Sequence, residues 1–420
     1  MLGNTMSAAC FAFFFLSLTI PSGYSYGSAA MALLSLFILL RRSSRPRPRL
    51  DGGLSRQTWA LTASVVMMGL LWSLPFDRMG TWLIIDYGTK YLMAAIAIWG
   101  ASRLGVRFCA ISWGMALGGV GAMCVAIYQL RVLHMTQAWG FTNAIQFGGI
   151  AMHLGIATLS MVVLGPKKWP KTALLTLGGA CGLLAALLSE ARGSWVTAPL
   201  LAATLWWVLW RDGQRKLALG SVAAIAVLAA LLAAPAADKF QSRANLALHE
   251  LQRYMDDPKG TAETSIGQRM EQWRLALRMI EKRPLAGWGV HGVVKEKQQQ
   301  VDQGLAHPSV MQYGHAHNEI LDMWVKRGLI GVLALLAFYL IPLCVFWPTG
   351  ARMAGLQDSL RAKMLALRTA GAMLPIAYFG FGWTQVFFAH NSGNLFYIFA
   401  LAGLWGGVVA LEQQRRSTAT

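Results

Sequence analysis

The run GLIGVLALLAFYLIPLCVF, residues 328–346, contains no charged side chain. It is long enough to cross the hydrocarbon core of a bilayer, which requires about 20 apolar residues. The whole chain has the same character, since 55% of its 420 residues are hydrophobic and only 13% are charged. Soluble domains are about 25% charged, so a soluble enzyme of this size is excluded. The hydrophobic content also excludes a disordered chain, and 5 cysteines are too few for a disulfide framework.

Similar apolar runs recur along the chain and predict an all-α integral membrane protein. Each run is interpreted as a spanning helix, because a helix satisfies its own backbone polar groups inside a bilayer. The twelve predicted spans are residues 6–22, 27–40, 58–75, 85–102, 108–130, 145–164, 173–189, 195–210, 217–235, 328–346, 366–388 and 393–411.

Basic residues are concentrated in alternate connections between these spans. The chain has 37 Lys and Arg against 18 Asp and Glu, a formal net charge of +19. Because cytoplasmic loops are enriched in Lys and Arg, this pattern predicts that both termini are cytoplasmic. The excess is spread over many loops instead of one face, which argues against nucleic-acid binding. The residues concerned are Arg41, Arg42, Arg45, Arg47, Arg49, Arg56, Arg103, Arg107, Lys167, Lys168, Lys171, Arg211, Arg215, Lys216, Arg352, Arg361, Lys363, Arg415 and Arg416.

One connection, residues 236–327, differs from the others and is called the long loop below. It lies on the side opposite the basic connections and contains 13 Lys and Arg and 11 Asp and Glu, so it is nearly neutral. Structureless loops of this length are uncommon, and we expect this one to carry function. The predicted division is residues 1–235 with nine spans, the long loop, and residues 328–420 with three spans and a short cytoplasmic tail.

A helix with two arginines is predicted in the long loop. Ser265 and Gln268 form a capping-box pattern, and Pro284 ends the segment. The predicted apolar stripe is Ile266, Met270, Trp273, Leu277 and Ile280. Arg269 and Arg274 border this stripe on opposite sides, and Arg269 lies near the helix N-terminus, where unpaired N–H groups favour an anion. Both are candidates for binding phosphate; the alternative is a surface helix with solvated arginines.

Residues 313–324, YGHAHNEILDMW, contain the candidate base. Asn318 can cap a helix, which places His317 immediately before the helix N-terminus. The helix dipole disfavours a protonated imidazole there, so His317 is predicted to be neutral and able to accept a proton. His315 is a candidate for substrate contact, or else a solvated or supporting residue. A metal site on the two histidines and Glu319 lacks a strong zinc spacing, and no metal is expected.

Charged residues at the outer ends of other spans are further candidates. Residues 189–195, SEARGSW, join spans seven and eight, and Arg192 offers a bidentate fork suited to phosphate. The alternative is an interfacial pair with Glu190. Asp86 and Lys90 lie four residues apart near the outer end of span four, which indicates either a helix pair or a contact of Lys90 with substrate. The candidate arginines and His317 thus fall on one side of the membrane, as a site for a phosphate-bearing amphiphile requires.

Together these features resemble the O-antigen ligases of Gram-negative bacteria, within the wider O-antigen polymerase/ligase superfamily. Residues 189–195 are similar to the family's S-x-x-R-G pattern. Residues 269–273 and 284–289, the latter PLAGWG, are similar to its R-x-x-x-W and P-x-x-G-x-G signatures. Residues 317–318 with 328–331, HN and GLIG, are similar to its H-N…G-x-x-G signature.

The resemblance implies a membrane glycosyltransferase of the all-helical, GT-C-like type. Its donor would be O-antigen polysaccharide linked to undecaprenyl diphosphate, and its acceptor a sugar hydroxyl of lipid A–core oligosaccharide at the periplasmic face of the inner membrane. It implies neither a metal nor a nucleotide cofactor, and a monomer among membrane lipids is expected. Arg192 and Arg269 match the family's functional arginines and His317 its histidine, while Arg274 is a weaker match. The other candidates for substrate contact are Lys90, His315 and Asn318.

The implied mechanism divides the work between these residues. Arg192 and Arg269, supported by Arg274, are expected to stabilise the leaving diphosphate, and His317 to act as base toward the acceptor hydroxyl. One direct displacement would invert the anomeric configuration, and no paired carboxylates indicate a covalent intermediate. The alternatives are an O-antigen polymerase, a protein O-oligosaccharyltransferase and, in a different class, a twelve-helix transporter with ionisable residues near the midplane.

Overall fold

The computed structural model describes residues 2–41, 50–73, 81–167, 170–221, 237–257 and 260–417, and all regular secondary structure in these ranges is helical. A 3₁₀ turn spans Pro308–Gln312. The predicted all-α class is therefore confirmed for this part of the chain. The α-helices are α1 (Leu2–Leu16), α2 (Gly23–Leu40), α3 (Gly52–Ser73), α4 (Thr81–Leu104), α5 (Phe108–Arg131), α6 (Ala144–Leu164), α7 (Lys171–Leu188), α8 (Arg192–Arg211), α9 (Ala237–Asp256), α10 (Ser265–Lys282), α11 (Gly289–Asp302), α12 (Glu319–Phe346), α13 (Gly350–Met353), α14 (Asp358–Gly382) and α15 (Asn391–Ser417).

Seven of the described helices, α2, α5, α6, α7, α12, α14 and α15, are long and apolar enough to cross a membrane. The shorter apolar helix α1 and helices α3, α4 and α8 pack in the same bundle. The chain is therefore a multi-pass membrane protein. The predicted ninth span, residues 217–235, lies mostly outside the described residues, as do the basic positions 42–49 and 168, so the count of twelve stays a prediction.

The ends of several predicted spans are wrong: α1 stops at Leu16 and not at residue 22, and α3 begins at Gly52 and not at residue 58. The second span was placed at residues 27–40, but α2 begins at Gly23 and is correspondingly longer. The eleventh was placed at residues 366–388, but α14 stops at Gly382. Residues 383–390 instead form a series of turns, called the linker below, because side chains of α12 hold their backbone in a non-helical course.

Helices α12, α14 and α15 are joined by an aromatic cluster at the centre of the bundle. The ring of Tyr397 lies 4.7 Å from that of Tyr378 and 4.8 Å from that of Phe338. The Tyr378 hydroxyl donates to the carbonyl of Gly393 at 2.6 Å, and the Tyr397 hydroxyl donates to the carbonyl of Phe338 at 2.7 Å. Buried hydroxyls without water need such partners, so these bonds fix the three helices that carry the linker.

The described part of the long loop has an apolar core of its own. Lys297 of α11 is buried beside this core and donates to Gln272 Oε1 at 2.8 Å and to the carbonyls of Tyr313 at 2.9 Å and Val310 at 3.3 Å. These bonds hold the backbone immediately before His315. The core consists of Leu275, Ala276, Met279, Ile280, Val293, Ala306, Val310, Ala316 and Val325.

The long loop is attached to the membrane-spanning part of α12 by a close backbone contact. Gly328 interrupts α12 with a left-handed φ of 66°, and a Cβ there would lie 2.6 Å from the nitrogen of Ala286. Gly287 has a φ of 70° and faces it, and its Cβ would lie 2.6 Å from the nitrogen of Gly328. The Leu329 N–H donates to the carbonyl of Pro284 at 2.9 Å. These glycines are needed because any side chain would separate the two segments.

Gly328→Ala is expected to destabilise the protein. Gly328 has φ 66° and ψ −164°, a backbone region that is essentially restricted to glycine and costs another residue about 1–3 kcal/mol. The new methyl group would also collide with the carbonyl of Leu285. The midpoint of thermal denaturation in detergent measures the effect. Gly292→Ala is the matched control, because its methyl group would meet Trp288 Cβ at an ordinary 3.4 Å. Equal midpoints for the two variants would contradict the prediction.

Candidate functional site

Three segments meet at the end of the bundle next to the long loop: residues 313–319, the linker and the start of α8. The Asn318 side chain accepts two N–H bonds from the first turn of α12, at 3.0 and 3.1 Å, so the predicted cap is confirmed. Its Nδ2 donates to the carbonyl of Trp383 in the linker at 3.4 Å. Gly193 in the first turn of α8 faces Thr384, whose hydroxyl would collide with a Cβ at that position. These contacts define the candidate site.

Three histidines and a tyrosine form a cluster at this junction, called the histidine cluster below. The ring of His317 lies 4.4 Å from that of His315 and 4.5 Å from that of Tyr313, and His390 lies 6.1 Å from His315. Nδ1 of His315, Nδ1 of His317 and Nε2 of His390 are buried without a hydrogen-bond partner among the described residues. These nitrogens are available to hydrogen-bond a substrate group or water. No group of three His, Cys, Asp or Glu side chains in the described ranges is arranged to hold a metal ion.

The backbone of His317 adopts a conformation that is rare for a residue with a side chain. Its φ is 52°, in the left-handed region. Neighbouring bonds maintain this turn: Asn318 caps α12 on one side, and the N–H of Ala316 donates to Asp322 Oδ1 at 3.0 Å on the other. Strained backbone of this kind concentrates at functional sites, where the surrounding structure determines the direction of a side chain.

The surroundings of His317 favour a neutral ring. Burial lowers its pKa to about 4, and positive charge on His315 and Arg269 acts in the same direction, while a hydrogen bond with Gln385 opposes the shift. The pKa of His315 is also lowered to about 4, chiefly by burial. The neutral state predicted for His317 thus results mainly from burial, and not from the helix dipole on which the prediction was based.

Arg269 lies on the face of α10 that is turned toward the histidine cluster. Gln272 and Ala276, three and seven residues later on the same face, are buried. Gln272 Nε2 donates to the carbonyl of Val310 at 2.7 Å, which docks this face on the segment before the histidines. The charge of Arg269 acts on the pKa of His317, so the structure brings these two predicted residues together.

The apolar stripe predicted for α10 is wrong at one position, Leu277, and right at Ile280, which is buried. Leu277 was placed on the buried side but is 52% exposed. The buried face of α10 is rotated relative to the predicted stripe, because the helix docks partly through the polar side chain of Gln272. A prediction that counts only apolar residues does not include that side chain. The helix cap also differs, since Thr264 Oγ1 accepts the N–H of Gly267 at 3.0 Å in the role predicted for Ser265. The buried residues of the helix include Glu271, Gln272, Leu275, Ala276, Met279 and Ile280.

Arg274 lies on another side of α10. It is exposed, and its guanidinium lies 4.7 Å from the ring of Tyr254 in α9. The Tyr254 hydroxyl in turn hydrogen-bonds Glu271. Such a cation–π contact joins two helices of the long loop, and substrate binding by Arg274 stays a prediction.

Lys90 and Arg192 each lie beside the linker. Lys90 is paired with Asp86, which confirms the predicted helix pair, and its Nζ also donates to Asn391 Oδ1 at 2.6 Å. Asn391 directly follows His390, so Lys90 lies at the far end of the linker. Arg192 is the first residue of α8, the helix that contacts the linker, but its side chain lies outside the described part of the structure.

Sequence reasoning missed Lys297, Gln385 and His390. The last two were assigned to or beside a spanning helix, although TQ at 384–385 and HNS at 390–392 interrupt the apolar pattern there. Those polar positions between two spans were a usable signal for a functional linker. Lys297 had no such signal, because its burial depends on how α10 and α11 pack.

Comparisons with known proteins identify the segment that contains most of this site. An uncharacterized protein of Haemophilus influenzae is 27% identical over 399 residues, which cover 93% of this chain and 94% of that protein, so the similarity extends over the spans as well. Residues 177–336 match the family model described as O-antigen ligase, a range that contains Arg192, Arg269 and His317. The predicted resemblance to the O-antigen ligase family is thereby confirmed for residues 177–336.

Proposed function

We propose that this protein is an O-antigen ligase of the bacterial inner membrane. It transfers polysaccharide from undecaprenyl diphosphate to a sugar hydroxyl of lipid A–core oligosaccharide at the periplasmic face. The observation that carries the proposal is the half-buried His317, whose pKa is lowered in part by the charge of Arg269, at one end of a membrane bundle and inside the segment that matches the family. A base beside an anion-binding group is what transfer from a lipid diphosphate requires.

The leaving diphosphate gains negative charge as the glycosidic bond breaks. Arg269 is proposed to hold it through a bidentate guanidinium contact, together with Arg192 at the start of α8. Neutral His317 accepts the proton of the attacking hydroxyl, and its unpartnered Nδ1 is the atom proposed for this role. His315, Asn318 and Lys90 are proposed to contact or position the substrates.

The transfer is proposed to be a single inverting displacement. A retaining mechanism needs a carboxylate that is available to attack the anomeric carbon. The two carboxylates nearest His317 in sequence are engaged elsewhere: Glu319 accepts N–H bonds from the linker, and Asp322 pairs with Lys326 at 2.8 Å. Their engagement supports direct attack by the acceptor hydroxyl.

The pH dependence of transfer follows from the lowered pKa of His317. Its base form predominates above about pH 4 and is lost as the pH falls through that value, so kcat/KM is expected to have its acid limb well below pH 6.5. A bound diphosphate offsets the positive charge of Arg269 and raises the pKa, so the acid limb of kcat is expected at a higher pH. Initial rates across pH 3–8 measure the acid limbs of kcat/KM and of kcat. A limb of kcat/KM at or above pH 6.5 would contradict the assignment.

The proposed function is tested with purified protein in lipid nanodiscs and undecaprenyl-diphosphate-linked O-antigen as donor. Lipid A–core, a second lipid-linked glycan and an acceptor protein are supplied in separate reactions. Glycan on lipid A–core supports a ligase. Product only on the second glycan would identify a polymerase, and product only on the protein would identify an O-oligosaccharyltransferase. Translocation of unreacted donor across the bilayer of sealed proteoliposomes would identify a transporter. Parallel reactions with EDTA test the proposed independence from metal.

A further inference from the structure

We infer that Glu319 is a positioning residue of the transfer site, whose carboxyl group holds the linker against the start of α12 and so sets Gln385 beside His317 and His390 beside His315. This inference rests on the proposed function only where it is tested by glycan transfer, and the structural role of Glu319 is tested separately. Neither the family motifs nor the sequence assigns Glu319 this role.

The contacts of Glu319 join two parts of the chain that are far apart in sequence. It is the first residue of α12 and is 2% exposed. Its Oε2 accepts the N–H of Phe387 at 2.6 Å and the N–H of Phe388 at 3.3 Å. Both are backbone donors of the linker, where no helix ladder is available to satisfy them. The carboxyl group therefore takes the place of a missing backbone acceptor.

The anchored linker carries groups to the candidate site. Gln385, two residues before Phe387, is buried and lies beside His317, on whose pKa it acts. His390, two residues after Phe388, places its ring 6.1 Å from that of His315. If the N–H groups of Phe387 and Phe388 lost their acceptor, Gln385 and His390 would no longer be held in place relative to the histidine cluster.

The role of Glu319 depends on its length and its oxygen acceptor, and not on its charge. Oε1 is buried without a hydrogen-bond partner among the described residues, and Glu319 forms no ion pair within 4.0 Å with a described residue, whereas Oε2 is bound by two backbone N–H groups. The hydroxyl of Tyr339 also has no hydrogen-bond partner among the described residues. It lies near Glu319, because both side chains border Gly382: a Cβ placed on Gly382 would lie 3.0 Å from Glu319 Cβ and 3.7 Å from the Tyr339 hydroxyl. A glutamine amide would keep the acceptor for the linker and could donate its N–H to the tyrosine.

Two small substitutions separate these properties. Glu319→Gln keeps the length and one oxygen acceptor but removes the charge. Glu319→Asp keeps the charge but withdraws the carboxylate by about one carbon–carbon bond, about 1.5 Å. Glu263, an exposed residue of the long loop, receives the same two substitutions as matched controls.

The variants are compared in nanodiscs by transfer kinetics and by hydrogen–deuterium exchange of peptides that cover residues 383–390. We expect Glu319→Gln to keep kcat within about threefold of wild type and to leave exchange in the linker unchanged. We expect Glu319→Asp to lower kcat by about tenfold or more, as the loss of one buried hydrogen bond implies, with little change in the KM for donor. Its linker amides should exchange faster, and both Glu263 variants should match wild type.

Three results would overturn the inference. The first is a Glu319→Asp variant with wild-type kcat and wild-type exchange. The second is a Glu319→Gln variant as impaired as Glu319→Asp, which would show that charge is required. The third is impaired transfer with unchanged exchange in the linker. If wild-type protein transfers no glycan, the proposed function fails, and the exchange data still decide whether Glu319 anchors the linker.

Discussion

Alanine in place of His317 is expected to lower kcat for glycan transfer by about 10²–10⁴-fold, the range that general acid–base catalysis contributes. The side chain lies in the histidine cluster with a buried, unpartnered Nδ1, and its lowered pKa keeps it in the base form. The substitution removes the proposed proton acceptor without changing α12, whose cap is the Asn318 side chain. The measurement is the initial rate of transfer to lipid A–core at saturating donor.

The control for this variant is His249→Ala, which replaces an exposed histidine of the same long loop. Both proteins should insert into the membrane equally and elute as single peaks in detergent. His249→Ala is expected to retain wild-type kcat. A His317→Ala protein within threefold of wild type would reject the base assignment, whatever the fate of the arginines.

Arg269→Lys is expected to lower kcat by about 10–100-fold, because lysine keeps the charge but cannot hold a diphosphate oxygen pair with two parallel N–H bonds. Arg269→Ala should lose more, since it removes the charge as well. The alanine variant also removes a cause of the low pKa of His317, so the acid limb of its kcat/KM profile should move to higher pH. The acid limb of the Arg269→Ala variant can be measured from its rates at different pH values relative to one another, even when its absolute rate is low.

Arg253→Lys provides the matched control, because Arg253 is an exposed arginine of α9 in the same loop. It is expected to change neither kcat nor the acid limb. If Arg269→Lys is as active as Arg253→Lys, transfer does not need a bidentate guanidinium contact with the diphosphate. If the limb does not move in Arg269→Ala, the electrostatic link between Arg269 and His317 is wrong.

The motif-bearing positions of this site were predictable because each depends on local sequence. Asn318 caps a helix through its own side chain, so the start of α12 and the position of His317 beside it follow from adjacent residues. The pairing of Lys90 with Asp86 likewise follows from helical spacing. The orientation of α10 did not follow, since a polar contact of Gln272 decides which face is buried.

The sequence by itself determined that this is a multi-pass helical membrane protein, because long uncharged runs have few other stable states and their hydrophobic length is a local property. Motif order also predicted the match of residues 177–336 to the O-antigen ligase family model. Only the tertiary structure decided the composition of the candidate site. The linker, Glu319 and the low pKa of His317 depend on which buried atoms meet across α12, α14 and α15. Burial and hydrogen-bond partners are properties of the packed chain, and residues about 70 positions apart acquire them only when the helices come together.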